Sequence, residues 1–328
     1  MPLWSEILLE FTKCKTEDGR PDCDRIRRKY LVQAYQHTQR NIILYASKWT
    51  QPDPEISPEL VTIVDEDMQG MMEVSHGLTG SNLDLILHSP GGSLEAAEAI
   101  VTYLRSRFRH IRVIVPHLAM SAATMIACAA DVIVMGKHSF LGPTDPQLLL
   151  TTALGARMVP VDDILEQFKQ AKNECQDPTK MAAWLPMLSQ YGPDLLVQCQ
   201  NARDLARTLV ENWLKSYMFR RSPNREAKAK ETAEWLTKHA AFKSHGRHIP
   251  RSELRKRLRV DCLEKDETAQ DLFLSIFHAT TITFTSTIAT KIIENQLGKA
   301  FIKMQQRLVP IKISQPLEVA PSKASPKE

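Results

Sequence analysis

The apolar positions of the chain change pattern twice. Residues 1–40 read as helical, with Arg25, Arg27, Arg28 and Lys29 beside Tyr30, Leu31, Val32 and Tyr35. That basic run reads as a solvated helix face. From residue 41 the pattern becomes short, continuous apolar runs: Asn41–Ser47, Asp84–Ser89, Ile111–Pro116 and Val132–Met135. Runs that are apolar throughout, rather than alternating, predict strands buried on both faces. Val61–Leu78 starts with acidic residues, Ser93–Phe108 has Ser93 at its cap position and Glu95 in its first turn, and Ser121–Ala130 is rich in Ala. All three are expected as helices. Strands and helices in alternation predict βαβ units and a sheet covered on both sides. From about 150 to 310 the pattern is mostly helical, with candidates at Ile164–Cys175, Leu195–Lys215, Asn224–His239, Arg251–Leu258 and Glu267–Gln305. The expected organisation is therefore an N-terminal helical segment (1–40), an α/β core (41–160), a mostly helical region packing on the core (161–312), and a Pro-, Ser- and Lys-bearing tail (313–328) with too few large apolar groups to fold.

Composition narrows the class. Lys and Arg number 42 against 38 Asp and Glu, a net charge of +4. The charges are interspersed, which reads against nucleic acid as a partner. Six cysteines are scattered without a CxxC pair, so neither a disulfide scaffold nor a zinc or redox motif is expected, and reduced thiols in the cytoplasm are. The uncharged runs Val113–Ala130 and Leu272–Thr290 contain Pro116, His117, His278 and many Thr. They read as buried pieces of a core, against membrane association, since a span needs about 20 predominantly apolar residues.

Three short segments carry candidate chemistry. Ser89-Pro-Gly-Gly-Ser93 lies between a strand and a helix, where Gly91 and Gly92 can turn tightly and leave backbone N–H groups unobstructed. Ala119-Met-Ser-Ala-Ala-Thr124 opens an Ala-rich helix, and Ser121 taken alone reads as an ordinary N-cap. Gly142-Pro-Thr-Asp-Pro-Gln147 holds Asp145 between two prolines, which alone reads as a structural loop. Gly92 and Ser121 are separated by one helix and one strand, so a right-handed parallel unit brings their turns together at one end of the sheet. The N–H groups of Gly92 and Ala122 then face one carbonyl oxygen, with Ser121 placed to attack it.

With these residues the chain resembles the ClpP/crotonase-fold serine peptidases, and within them the serine dehydrogenase proteinase family, relatives of signal peptide peptidase A. The matching stretches are Leu85–Gly92, Ala119–Ile126, Leu141–Gln147, Tyr191–Pro193, Phe242–Arg247 and Phe277–Thr281. The resemblance implies an α/β fold that is a spiral of ββα units with a largely helical C-terminal half. It also implies serine endopeptidase activity on a peptide or protein substrate, a homo-oligomer, and no metal or other cofactor. A triad in the order Ser, Asp, His, as that family is described, fits Ser121, Asp145 and a later histidine. His245, in a polar loop with Gly246, is the preferred base; Arg247 beside it is a candidate partner of Asp145 or of a substrate carboxylate. His239 reads as a helix-end residue, His278 as a core histidine and His138 as a surface one. Relatives of signal peptide peptidase A use a Ser–Lys pair instead, for which Lys169 and Lys172 are the candidates, although the helix carrying them is amphipathic. A crotonase-type acyl-CoA enzyme and a non-catalytic oligomeric scaffold are the alternatives.

Overall fold

The computed structural model describes residues 2–51, 53–152 and 155–305, so the tail expected over 313–328 lies outside the described residues. In chain order, the elements that frame the molecule are α1 (Trp4–Lys13), α2 (Cys23–Thr38), β1 (Asn41–Ser47), α3 (Asp67–Ser75), β2 (Asn82–His88), α4 (Leu94–Arg107), β3 (His110–Val115), β4 (Leu118–Ala119), α5 (Ala122–Cys128), β5 (Val132–Met135) and β6 (Phe140–Leu141). A hairpin, β7 (Gln147–Thr152) with β8 (Gly155–Pro160), leads into α6 (Val161–Glu174), α7 (Pro178–Leu188) and α8 (Leu195–Trp213). Then come α9 (Arg225–Thr237), α10 (His239–Phe242), β9 (Ile249–Pro250), α11 (Arg251–Leu254), β10 (Val260–Cys262), α12 (Glu267–Ser286), β11 (Ala289–Asn295) and β12 (Ala300–Met304).

The central sheet has seven strands in the order β10-β5-β3-β2-β1-β11-β12. The first five are parallel, and β11 and β12 return antiparallel. Alternate residues of each parallel strand enter two different cores. Tyr45, Leu85, Val113 and Ile133 face α4, α5, α8 and α9, whereas Leu44, Ile86, Ile114 and Val134 face α1, α2 and α12. Burial on both sides is why these strands read as unbroken apolar runs.

Several elements depart from the sequence reading. Val61–Leu78 is helical only over Asp67–Ser75; residues 61–66 run instead beside Gly92, with a parallel bridge from Ile63. The long helix expected over Glu267–Gln305 ends at Ser286, and the chain beyond it supplies β11 and β12, so the C-terminal part enters the central sheet. The basic run of α2 is not a solvated face throughout: Arg27 is fully buried, with its Nε 2.5 Å from Glu294 Oε2 on β11. Arg28 reaches the other oxygen of Glu294 at 2.7 Å. A buried carboxylate needs such partners to remain charged. Among the described residues, no helix is long and apolar enough to cross a membrane.

Candidate active site

The Gly-Gly turn and the Ser121 turn are stitched together by backbone. Met120 N–H donates to Ser89 C=O at 2.9 Å, and Ser89 N–H donates to Leu118 C=O at 3.3 Å. The approach is so close that a Cβ on Gly91 would lie 2.7 Å from Ser121 Cβ and 2.9 Å from Ala122 N. Gly91 adopts φ 97° and Gly92 φ 150°, values that only glycine holds without strain. Ser89 Oγ closes the turn by accepting from Gly91 N–H at 3.2 Å. Among the described residues, the N–H groups of Gly92 and Ala122 have no protein acceptor. Ser93 caps α4 as expected, accepting from Ala96 N–H.

Ser121 precedes α5 but is not an ordinary cap. Its side chain makes no capping bond, and its backbone sits at φ 51°, ψ −122°, a conformation that L-residues hold only at a cost. Ser121 lines a cavity of about 480 Å³ together with Gly92, Ala122, Thr144 and His245. Leu94, Met125, Leu148, Met158 and Leu205 line its apolar part.

A three-stranded ladder, β4-β6-β9, aligns the chemistry. β4 leads into Ser121 and β6 leads into the Gly142–Pro146 loop carrying Asp145. β9 follows the loop carrying His245, with Leu141 paired to Ile249. Gly142 N–H donates to Ala119 C=O and to Thr124 Oγ1, tying the Asp145 loop to the Ser121 turn. Asp145 is 1% exposed. Its Oδ1 is 2.8 Å from His245 Nδ1 and its Oδ2 is 2.6 Å from His239 Nδ1. The two rings flank one short helix: His239 opens α10, which is capped by Lys243 in the left-handed region at φ 62°, and His245 follows two residues later. His239 is thus a second partner of Asp145 rather than only a helix-end residue. No composition or spacing signal marked it, because the bond depends on where α10 stops. Thr144 was also unassigned; its hydroxyl is buried without a protein partner.

Other candidates lie apart. Lys169 and Lys172 sit exposed on α6, and Lys169 lines a separate cleft with Asp162, Arg203 and His239. Arg247 is exposed and approaches the Phe242 ring rather than Asp145. His278 is half-buried beside Phe277, and His138 is half-buried with its Nε2 unpartnered. His88, at the end of β2, is 1% exposed, with its Nδ1 3.0 Å from Leu118 C=O. Burial pushes its pKa down to about 3, so the ring is neutral and its Nδ1–H is the donor. Among the described residues there is no group of His, Cys, Asp and Glu suited to a metal ion.

Comparison with known proteins bears on this assembly. A stretch of 66 residues is 53% identical to an uncharacterized protein of Methanocaldococcus jannaschii, covering 20% of this chain and 23% of that protein. A stretch of 97 residues is 38% identical to a second uncharacterized protein of the same organism, covering 30% of each. The chain thus spans less than a third of either relative's length. Residues 61–184 match the model of the ClpP-like SDH-type serine proteinases. That segment holds the Gly-Gly turn, Ser121 and Asp145, while His239 and His245 lie beyond it. Over that segment, somewhat more than a third of its length, the chain is similar to the ClpP-like SDH-type serine proteinases.

Proposed function

We propose that the protein is a serine peptidase that cleaves peptide bonds through an acyl-enzyme on Ser121. The observation that carries the reading is the meeting of two unpaired backbone N–H groups, Gly92 and Ala122, with a strained serine in a cavity that also holds the Asp145-bound ring of His245. Asp145 accepts from His245 Nδ1–H, which leaves Nε2 free as a base. His245 takes the Ser121 proton as Oγ adds to the scissile carbonyl, and the Gly92 and Ala122 N–H groups stabilise the oxyanion. The imidazolium then passes its proton to the leaving amine, and water, activated by the same ring, releases the acid and restores Ser121. Ser121 and His245 share no hydrogen bond here, a looseness common before substrate closes the site. The apolar lining suits an apolar side chain next to the scissile bond.

The reading extends to a cytoplasmic homo-oligomer acting on peptides or proteins, built on the ββα spiral of the ClpP/crotonase superfamily. The exposed Leu149, Met181, Leu185 and Val197 provide apolar surface for subunit contact. A fluorophosphonate probe tests the chemistry, since it reacts only with an activated serine. The wild-type chain should be labelled at Ser121, and Ser121→Ala should lose both labelling and hydrolysis while keeping its circular dichroism spectrum. Labelling at another serine, or none in the wild type, overturns the proposal.

A further inference from the structure

Lys291 is an unusual residue for the middle of a sheet. It sits on β11, between the antiparallel neighbours Ser47 and Lys303, and is 0% exposed. Its Nζ lies 2.8 Å from both carboxylate oxygens of Asp67, itself 0% exposed. Burial pushes the Lys291 pKa down to about 8 against the pull of Asp67, so Lys291 stays mostly charged at neutral pH. Tyr45 O–H donates to the same carboxylate at 2.7 Å, and Lys303 approaches it at 3.6 Å while pairing with Glu66. An apolar core of equal volume would stabilise the sheet as well as a buried ion pair does. What the pair supplies that an apolar core cannot is direction.

Its remaining bonds run to one stretch of backbone. Lys291 Nζ donates to Thr62 C=O at 2.5 Å, and Asp67 Oδ2 accepts from Val64 N–H at 3.0 Å. These two ties flank Ile63. Ile63 in turn grips the Gly-Gly turn: its N–H donates to Gly91 C=O at 2.7 Å, and its C=O accepts from Ser93 N–H at 2.9 Å. Gly92 is pressed so closely between them that a Cβ there would lie 2.3 Å from Ile63 O and 2.4 Å from Ile63 N. Any shift of Ile63 is therefore passed to Gly92. From these contacts we infer that the buried Lys291–Asp67 pair is a positioning device for the Gly92 N–H, acting through the Thr62–Val64 backbone. The inference rests on the peptidase reading for the use of that N–H, and on geometry alone for the brace. A donor must stay within a few tenths of an ångström of its place to stabilise a developing oxyanion, so a brace on the turn acts on turnover more than on substrate binding.

The test uses the full chain with Lys291→Met and Asp67→Asn together, which removes both charges and leaves neither buried alone. Amide hydrogen exchange is read at Ile63 and Ser93, with the β3 amides as an internal reference, and kcat and KM are measured on a peptide substrate. Exchange at Ile63 and Ser93 should rise about tenfold or more with β3 unchanged, and kcat should fall about 10- to 100-fold, a fraction of a whole oxyanion donor's worth, with KM within about threefold. A folded double variant with unchanged exchange overturns the brace. Faster exchange with unchanged kcat overturns its link to the oxyanion. If the wild type neither hydrolyses peptides nor takes the probe, the peptidase reading fails, and the exchange result still decides the brace. Should the double variant not fold, Tyr45→Phe removes only the phenol donor to Asp67. It should show the same changes at smaller size, and no change in either readout overturns the inference.

Discussion

Replacing Ser121 with glycine should make the protein more stable while removing the proposed nucleophile. The backbone at Ser121, φ 51° and ψ −122°, lies where a side chain is strained. Such a residue costs on the order of 1–3 kcal/mol. Glycine there escapes the strain but loses more conformational freedom on folding, about 0.5–1 kcal/mol relative to alanine. The hydroxyl contributes no offset, because it caps no helix N–H. Ser121→Ala keeps both the Cβ and the strain and is therefore the reference. The glycine variant should exceed it by about 0.5–2 kcal/mol. With an unfolding entropy of about 2.1 cal/mol/K per residue, a chain of this length gives a Tm difference of roughly 1–3 °C. Scanning calorimetry or fluorimetry on the two variants side by side resolves that difference, and urea denaturation checks its sign at 25 °C. Both variants should be inert to the fluorophosphonate probe. A glycine variant that melts at or below the alanine variant would refute the reasoning, because the turn would then hold no strain for a serine to relieve.

Two further predictions follow from the same geometry. Gly92→Ala puts a Cβ within 2.4 Å of the Ile63 backbone, so the turn must move; kcat should drop about 10²–10³-fold, as for loss of one oxyanion donor, and a variant within a few-fold of wild type would remove Gly92 from that role. His88 is held neutral by burial, its pKa pushed from 6.5 down to about 3. The unfolded chain takes up a proton below 6.5 that the folded chain refuses, so stability is lost as pH falls from 6.5 toward 3, by about 1.4 kcal/mol per pH unit for this one group. His88→Leu should flatten that limb by one proton in urea denaturation between pH 6.5 and 4; equal slopes would mean that His88 is protonated in the fold.

Local requirements were the legible part of this chain. Strands β1, β2, β3 and β5 were readable because burial on both faces leaves them no polar alternation. The Gly91–Gly92 and Ser121 turns were readable because their needs are met within a few residues: no Cβ, a free N–H, a helix start. What stayed hidden depends on partners far away in sequence. β11 carries Lys291, Glu294 and Asn295, all buried, and looked like the end of a Thr-rich helix. Its charges become acceptable only against Asp67 and Arg27, more than two hundred residues earlier. The helical reading of Val61–Leu78 failed for a related reason, since residues 62–64 bond to Lys291, Asp67 and the Gly-Gly turn instead of to their own helix. The β7-β8 hairpin, at the end of the segment read as the α/β core, carried no strand signal, because it pairs only with itself and much of it is exposed.

The division of labour along the chain explains why the C-terminal part cannot be an accessory. The family-matched segment 61–184 supplies the Gly-Gly turn, Ser121 and Asp145. It lacks a partner for Asp145, whose buried carboxylate would then stand with neither ring beside it. It also lacks Lys291, without which Asp67 is a buried charge with no counterion from within that segment. Both deficits are met by residues after 230, delivered through β9 and β11, which pair with β6 and β1. Because β1 lies next to β2, and β2 runs straight into the Gly-Gly turn, the strand that pairs with β1 also carries the charge braced against that turn. Loss of the C-terminal part would therefore remove both ring partners of Asp145 and the counterion of Asp67 at once, and the sheet and the site should fail together rather than in turn.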